Sequence, residues 1–485
     1  TSVFPAITRI PLSNSTPMRT IALLISIATL ELAAQDPLRI WGLTPNGGAN
    51  DKGTVFRVDA DGSNFVTVFD FTDESGWGPE GGLCLAPNGL LYGLTTFGGE
   101  GAPAAGTLFT IDPADGTFNK LRDFNLGNGG FNWSTLITGT DGLLYGAGYA
   151  GSDGGGSIYR VDPTTNEYTE LYALDQATDG GAITGRLLQA ADGLFYGTAS
   201  QGGASGEAGT IFRYNAVTDL FTKLHDFDSA LGGRTPYGGV CEAGNGWFYG
   251  TTYTGGLSDR GIIYKYNAVT DEFVKIHDMV EDDGSNCWNT LLRLGPDLLI
   301  GGVANGSLNS GGYLVTVVPS TDAVTVVWNG SLANGANPMG DLVVGPDGQI
   351  YGLLSQGGSG FFGTLSRFSP ITFQHTVLHN FTNGADGGLP RGEPLVISAA
   401  VGVDEVRGQP FFSIGPNPSA GEVIIRCDPA HLPAQARVAD ALGRTVRTMT
   451  ITNASTTLHL GAQHGMHSIT ITCGAGSYTE RLVVE

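Results

Sequence analysis

Basic residues are scarce. The chain holds 24 Lys and Arg against 46 Asp and Glu, a formal net charge of −22. A surface of that sign repels phosphate, so nucleic acid is not an expected partner. Cysteine is scarcer, 5 in 485 residues, and no Cys-x-x-Cys pair occurs. Disulfides are therefore not the main source of stability, and nothing suggests zinc or dithiol chemistry. Cys427 and Cys473 lie in separate β-like segments near the C-terminus. They either bridge or stand as two buried thiols, and a Cα separation above about 7 Å excludes the bridge. No apolar stretch after the N-terminus reaches the roughly 18 residues of a membrane helix. A helical period of 3.6 is also missing outside the N-terminal run.

Glycine is what the chain has in excess, with 76 residues. No every-third-residue period accompanies it, so a collagen helix is excluded. Hydrophobic residues make up 41%, enough for a large core and too many for a disordered acidic chain.

The N-terminus reads as a targeting segment. Met18-Arg19 precedes an apolar run from Ile21 to Leu30, and Leu32-Ala33-Ala34 follows. A short basic start, an h-region and small residues describe a secretory signal peptide, with cleavage expected after Ala34. Residues 1–34 are thus an upstream segment and signal peptide with its start at Met18. The alternative is a short buried helix.

A repeat of about 51 residues organises residues 35–400. An aromatic-Gly pair recurs as Trp41-Gly42, Tyr92-Gly93, Tyr145-Gly146, Tyr196-Gly197, Tyr249-Gly250 and Tyr351-Gly352, with Ile300-Gly301 filling the gap. A second marker follows, as in Gly53-Thr54-Val55-Phe56, Gly106-Thr107-Leu108-Phe109 and Gly209-Thr210-Ile211-Phe212. A third is an apolar-x-polar-apolar tetrad such as Leu121-Arg122-Asp123-Phe124. In the second copy the markers predict strands over Gly82–Ala86, Leu90–Thr96, Thr107–Asp112 and Phe118–Phe124. Asn88-Gly89 and Asp115-Gly116 supply the tight turns. Four-stranded units of this length point to an all-β fold, a seven-bladed β-propeller. The first copy starts on a second strand, and Pro394–Ile397 reads as a first strand. One blade should therefore be stitched from both ends of the ring, three strands plus one.

The markers stop near Ala400. Residues 401–410 read as a linker and residues 411–485 as a small β-sandwich. Charge separates the modules: residues 35–403 carry 38 acidic and 16 basic residues, while residues 404–485 carry 7 and 6.

Two resemblances follow from these residues. Pro416-Asn417-Pro418, Ala441-Leu442-Gly443-Arg444, Gly465–Thr472 and Arg481-Leu482-Val483-Val484 together resemble a type IX secretion system C-terminal sorting domain, type A. That resemblance implies an Ig-like sandwich, a bacterium of the Bacteroidetes group, and export across the outer membrane by the secretion machinery. It further implies attachment at the cell surface or release. Gly465-Met466-His467 departs from the family, which has a Tyr-type strand there. The repeats resemble the GloVer-type tandem repeat through Leu91-Tyr92-Gly93, Gly98-Gly99, Gly106-Thr107-Leu108-Phe109 and Leu121-Arg122-Asp123-Phe124. They also resemble kelch repeats in the Gly-Gly pair but lack the kelch Trp. The GloVer-type family implies no particular chemistry.

Loop lengths point to a binding face. The loops between strands two and three, and from strand four to the next unit, are long, and both emerge on one side of the disc. Loops on a rigid scaffold commonly carry function. They hold Trp77, Phe97, Trp133, Tyr149, Tyr237, Tyr253, Trp288 and Phe361. Of these, Trp77, Trp133, Tyr237 and Trp288 are the candidate ligand-binding residues, because flat rings suit stacking on sugar or other apolar faces. The alternative is that they pack between blades. Asp73, Glu74, Glu80, Glu100, Asp153, Glu281, Asp282 and Asp283 crowd the same loops. Oxygen-rich loops can hold calcium, but no stretch matches an EF-hand, and a solvated acidic surface is the plainer reading. Paired carboxylates can hydrolyse glycosides, yet no pair at the needed separation is fixed by sequence, and no catalytic acid is named. His225, His277 and His379 share a repeat position with Phe69, Arg122 and Tyr172, so they read as structural.

The expectation is a secreted or surface-displayed binding protein, a monomer, for an extracellular carbohydrate or protein. A secreted polysaccharide hydrolase or lyase is the alternative, and a passive adhesive repeat protein the third reading. Fold alone cannot choose among them.

Overall fold

The computed structural model describes residues 38–100, 104–204, 208–228, 232–280, 284–304, 311–398, 412–415, 422–427, 429, 432–440, 445–460, 465–473 and 476–484. The expected signal peptide, Glu281–Asp283 and the Cys473 side chain lie outside what is described. Among the described residues there is no α-helix, and no helix long and apolar enough to cross a membrane.

Between residues 38 and 398 the chain forms seven four-stranded antiparallel sheets. Sheet two contains Cys84–Leu85, Leu91–Leu94, Thr107–Ile111 and Phe118–Asp123, within a residue or two of the sequence expectation. Sheets three to seven follow within 137–173, 188–226, 241–278, 292–329 and 343–380. Sheet one joins the two ends of this region. Leu395–Ser398 pairs antiparallel with Leu38–Thr44, which pairs in turn with Thr54–Asp59 and then Val66–Asp70.

The repeat markers are packing devices. Cross-strand register sets Gly42, Gly93, Gly146, Gly197 and Gly250 opposite Phe56, Phe109, Tyr159, Phe212 and Tyr264. The aromatic ring lies over the glycine, and a Cβ on Gly93 would overlap the Phe109 ring. The aromatic before each glycine has a different task. The hydroxyls of Tyr145, Tyr196 and Tyr351 donate to Asp141, Asp192 and Asp347 of the turn between strands one and two, at 2.7–2.9 Å. The polar residue of the third marker holds a loop. The carboxylates of Asp70, Asp123, Asp226 and Asp278 accept the backbone N–H of Ala49, Glu100, Ala204 and Leu257. A β-bulge recurs between strands three and four of every sheet, as at Leu108/Phe109 and Ile211/Phe212, and sharpens the local twist.

Hydrophobic clusters join each sheet to the next. Trp41, Leu43 and Val55 pack with Leu83, Leu91 and Phe109 of sheet two, and comparable clusters link the sheets that follow. Ile40, Phe56 and Val58 then pack against Tyr351, Leu353 and Leu365 of sheet seven, completing the circuit. The sheets are also riveted at the rim. Phe69 stacks on Phe118 at 3.9 Å, Tyr172 on Phe221, His225 on Phe273 at 4.2 Å and His379 on Phe65 at 3.9 Å. Arg122 lies over Tyr168 in the same way, 4.1 Å from its ring. His225 and His379 at this position are flat packing partners. Burial holds His225 and His379 below the ordinary imidazole pKa.

The C-terminal strands form two further antiparallel sheets of three and four strands. Val423, Ile425 and Leu458 of one pack against Ala436, Val438, Ile451, Ile469 and Ile471 of the other.

Candidate functional site

The segment that enters each first strand is built alike in all seven sheets. It begins with a residue in the left-handed region: Gly78, Phe131, Ala182, Thr235, Asn286, Asn337 and Leu389, with φ between 53° and 62°. Six of these are not glycine, and such a conformation costs a β-branched residue like Thr235 most. The backbone fixes each one. Its N–H donates to a carbonyl of the preceding unit (Lys52, Ala105, Gly155, Ala208, Arg260, Gly311 or Phe362) at 2.6–3.1 Å.

Two residues after this hook stands the presented side chain: Glu80, Trp133, Thr184, Tyr237, Trp288, Met339 and Arg391. These seven, one per sheet, surround a cavity of about 190 Å³. The hook is constant while the side chain it presents changes. Strain persists where surrounding structure over-determines it, and commonly at functional sites. Next come small residues, mostly glycine. A Cβ at Gly81 would overlap the backbone at Ser134, and one at Gly392 would overlap the backbone of Gly81, so neighbouring segments approach closely around the axis.

The tier beneath is polar. Gly82 N–H donates to Thr135 Oγ1 at 2.7 Å, Gly239 N–H to Thr290 Oγ1 at 3.0 Å and Thr290 N–H to Asp341 Oδ1 at 2.6 Å. Arg186 of sheet four lines an adjoining space of about 60 Å³ that shares six of the ring residues. Its Nη1 donates to both oxygens of Glu393, at 2.8 and 3.0 Å, and its Nε stands 3.5 Å from Asp341 Oδ2. Glu393 precedes the closing strand of sheet one, and Asp341 belongs to sheet seven. Desolvation pushes both carboxyls above the ordinary carboxylate range, while the guanidinium opposes that rise. Above them Arg391 Nη1 meets Glu80 at 3.3 Å.

Of the rings expected to bind ligand, Trp133, Tyr237 and Trp288 share this cavity. Tyr237 stacks on Trp288 at 4.3 Å and 9°, and Tyr253 packs edge-on against both. Trp133 lies 5.2 Å from Tyr149. Trp77 is elsewhere. It sits three residues ahead of its unit's presented position, which Glu80 fills, and stacks on Phe97 at 4.5 Å with Lys52 Nζ 4.7 Å from its ring. Among the described residues the acidic loop side chains do not converge: Asp73 pairs with Lys52, Glu80 faces the cavity, and Glu74, Glu100 and Asp153 are exposed.

Sequence reasoning missed Thr184, Met339 and Arg391 of the ring, the inward role of Glu80, and the triad of Arg186, Asp341 and Glu393. For the ring the signal was available, because stepping 51–53 residues from Trp133 lands on every member. The triad had none, since its repeat position elsewhere holds Gly82, Thr135, Gly239 and Thr290.

The repeat model that matches this chain, the Gloeobacter/Verrucomicrobia repeat, covers residues 29–206 and 183–403. The chain belongs to the Gloeobacter/Verrucomicrobia repeat family. Residues 413–485 match the secretion system C-terminal sorting domain. This type IX sorting module directs the chain to the secretion machinery, and so to the cell surface, the outer membrane or the medium. No curated protein matches the chain. Among solved structures, a 6-phosphogluconolactonase homologue from Bacteroides fragilis (described as putative) is 13% identical with a TM-score of 0.51. The match covers 75% of this chain and 98% of that one. The β-propeller domain of the Trilobed protease from Pyrococcus furiosus is 10% identical with a TM-score of 0.41, over 72% and 94% of the two chains. TolB from Acinetobacter baumannii is 14% identical with a TM-score of 0.38 over 60% of this chain, which spans 64% of TolB. At these identities the likeness is one of fold. The circuit of four-stranded sheets in this chain is a β-propeller fold.

Proposed function

We propose that the chain is a secreted or surface-displayed binding protein. Residues 1–34 comprise an upstream segment and a signal peptide that starts at Met18, residues 35–400 form a closed seven-bladed propeller, residues 401–410 a linker, and residues 411–485 an Ig-like sorting sandwich. The ring of seven presented side chains holds an extracellular ligand, a carbohydrate or a protein segment. One observation carries this reading: the same left-handed hook in every unit, at six of seven places on a residue other than glycine, presents side chains of six kinds around one cavity, and three of the seven are large aromatics. Aromatic faces beside a charged pair suit a ligand with a flat apolar face and a polar edge. A glycan array probed with the full secreted chain tests this. Binding should be lost in Trp133→Ala and Trp288→Ala while the melting temperature stays within a few degrees. Unfolding of both variants would assign the rings to packing between blades.

The buried Asp341 and Glu393 favour the hydrolase or lyase as second reading, since raised carboxyl pKa values mark acid catalysts. Arg186 bonds both oxygens of Glu393, which speaks for a structural role instead. Release of reducing ends from any array-positive polysaccharide would favour the enzyme.

A further inference from the structure

We propose that the cavity is an end-binding cup that takes one uncharged terminal sugar ring along the propeller axis and rejects acidic sugars. The proposal rests on the carbohydrate reading above and names its ligand class.

Shape is the first argument. All seven sheets contribute a wall, and the cavity adjoins a smaller space of about 60 Å³ that shares six of its side chains and is lined by Arg186, which reaches from sheet four to sheets seven and one. An internal unit of a linear glycan has chain leaving on two sides and needs an open groove. A cup walled on every side that gives on to a smaller space lined by Arg186 suits a chain end better than an internal unit. Its volume of about 190 Å³ also lies below the roughly 300–1,000 Å³ of pockets for drug-sized ligands, which suits one small unit.

Chemistry is the second. The stacked Tyr237 and Trp288 come from adjacent sheets, and Trp133 stands two sheets from Tyr237. Met339, Arg391 and Glu80 occupy the remaining arc, and Thr184 stands between Trp133 and Tyr237. This pairs apolar faces with a polar edge, as a sugar ring does with its C–H face and hydroxyl rim.

Charge is the third. The cup and the adjoining space hold three carboxylates, Glu80, Asp341 and Glu393, against two guanidinium groups, Arg186 and Arg391. Each guanidinium already faces a carboxylate. A uronic or sialic acid would add a fourth negative group and find no free cation, and burying an unpaired charge is costly.

The test is an array of neutral glycans that share internal units and differ in their terminal residue, probed with the full secreted chain. Solution competition uses the methyl glycoside of the favoured terminal residue and its uronic-acid counterpart. The signal should follow the terminal residue, the methyl glycoside should compete within about tenfold of its parent oligomer, and the uronate should bind at least tenfold more weakly. Glu80→Gln should narrow that last difference. Equal signal whatever the terminal residue, or equal binding of the uronate, overturns the proposal and leaves the carbohydrate reading standing. Absence of binding to any sugar overturns the carbohydrate reading, and the proposal with it. The competition needs only the unaltered chain, so a variant that fails to fold does not blunt it.

Discussion

Arg186→Met should be among the most damaging single changes in the propeller. One guanidinium neutralises two carboxylates drawn from sheets seven and one, and all three side chains are largely buried, with exposures of 28%, 16% and 14%. Methionine fills similar volume, so the loss isolates the charge. Breaking a buried ion pair by removing one partner costs about 3–5 kcal/mol, because the other charge is left uncompensated. Here two are left. The carboxyls can escape by binding protons, and desolvation already raises both above the ordinary carboxylate range. A group with a raised folded pKa contributes stability fully below its unfolded value, and that contribution fades as pH rises through the folded one. The loss on Arg186→Met should therefore be larger at pH 8 than at pH 5. Urea unfolding of the purified chain at both values measures it. Adding Asp341→Asn and Glu393→Gln should recover more than half of the pH 8 loss, since the amides still accept hydrogen bonds. A loss below about 1 kcal/mol, equal at both pH values, would refute the reasoning, because it is what a solvated pair gives.

Three further outcomes are expected. Gly93→Ala should cost about 1–3 kcal/mol through overlap with Phe109, whereas Gly295→Ala, with open space around it, should be near neutral by urea unfolding. His375 is held down to about 4 by burial against Phe368 and Trp328. The stability it contributes is complete above its ordinary 6.5 and is lost as pH falls toward 4, so His375→Phe should lower the melting temperature less on acidification over that window than the unaltered chain. Thr235→Gly should raise stability by up to about 1 kcal/mol, as relief of a left-handed β-branched residue outweighs the entropy of glycine. A lower melting temperature for that variant would mean that the hook at Thr235 stores no strain.

The sheets were legible in the sequence because each is local. Asn88-Gly89 and Asp115-Gly116 turn the chain within one unit, and Gly93 must face Phe109 wherever both markers occur. The loop aromatics were legible by type but not by frame. Trp77 and Trp133 look alike in a loop, and only the hook two residues ahead of the presented position separates them. The triad was illegible for a physical reason. Arg186 and Glu393 lie 207 residues apart and meet only when the circuit closes. No local pattern marks a pairing that the whole circuit creates.

The central claim is that the ring of presented side chains is where a ligand sits. The most direct measurement is a crystal structure of the full secreted chain with whichever array-positive molecule binds best. The account predicts density bounded by Trp133, Tyr237 and Trp288 and resting above Arg186. Well-ordered ligand on another surface, with the cup holding only water, would contradict it.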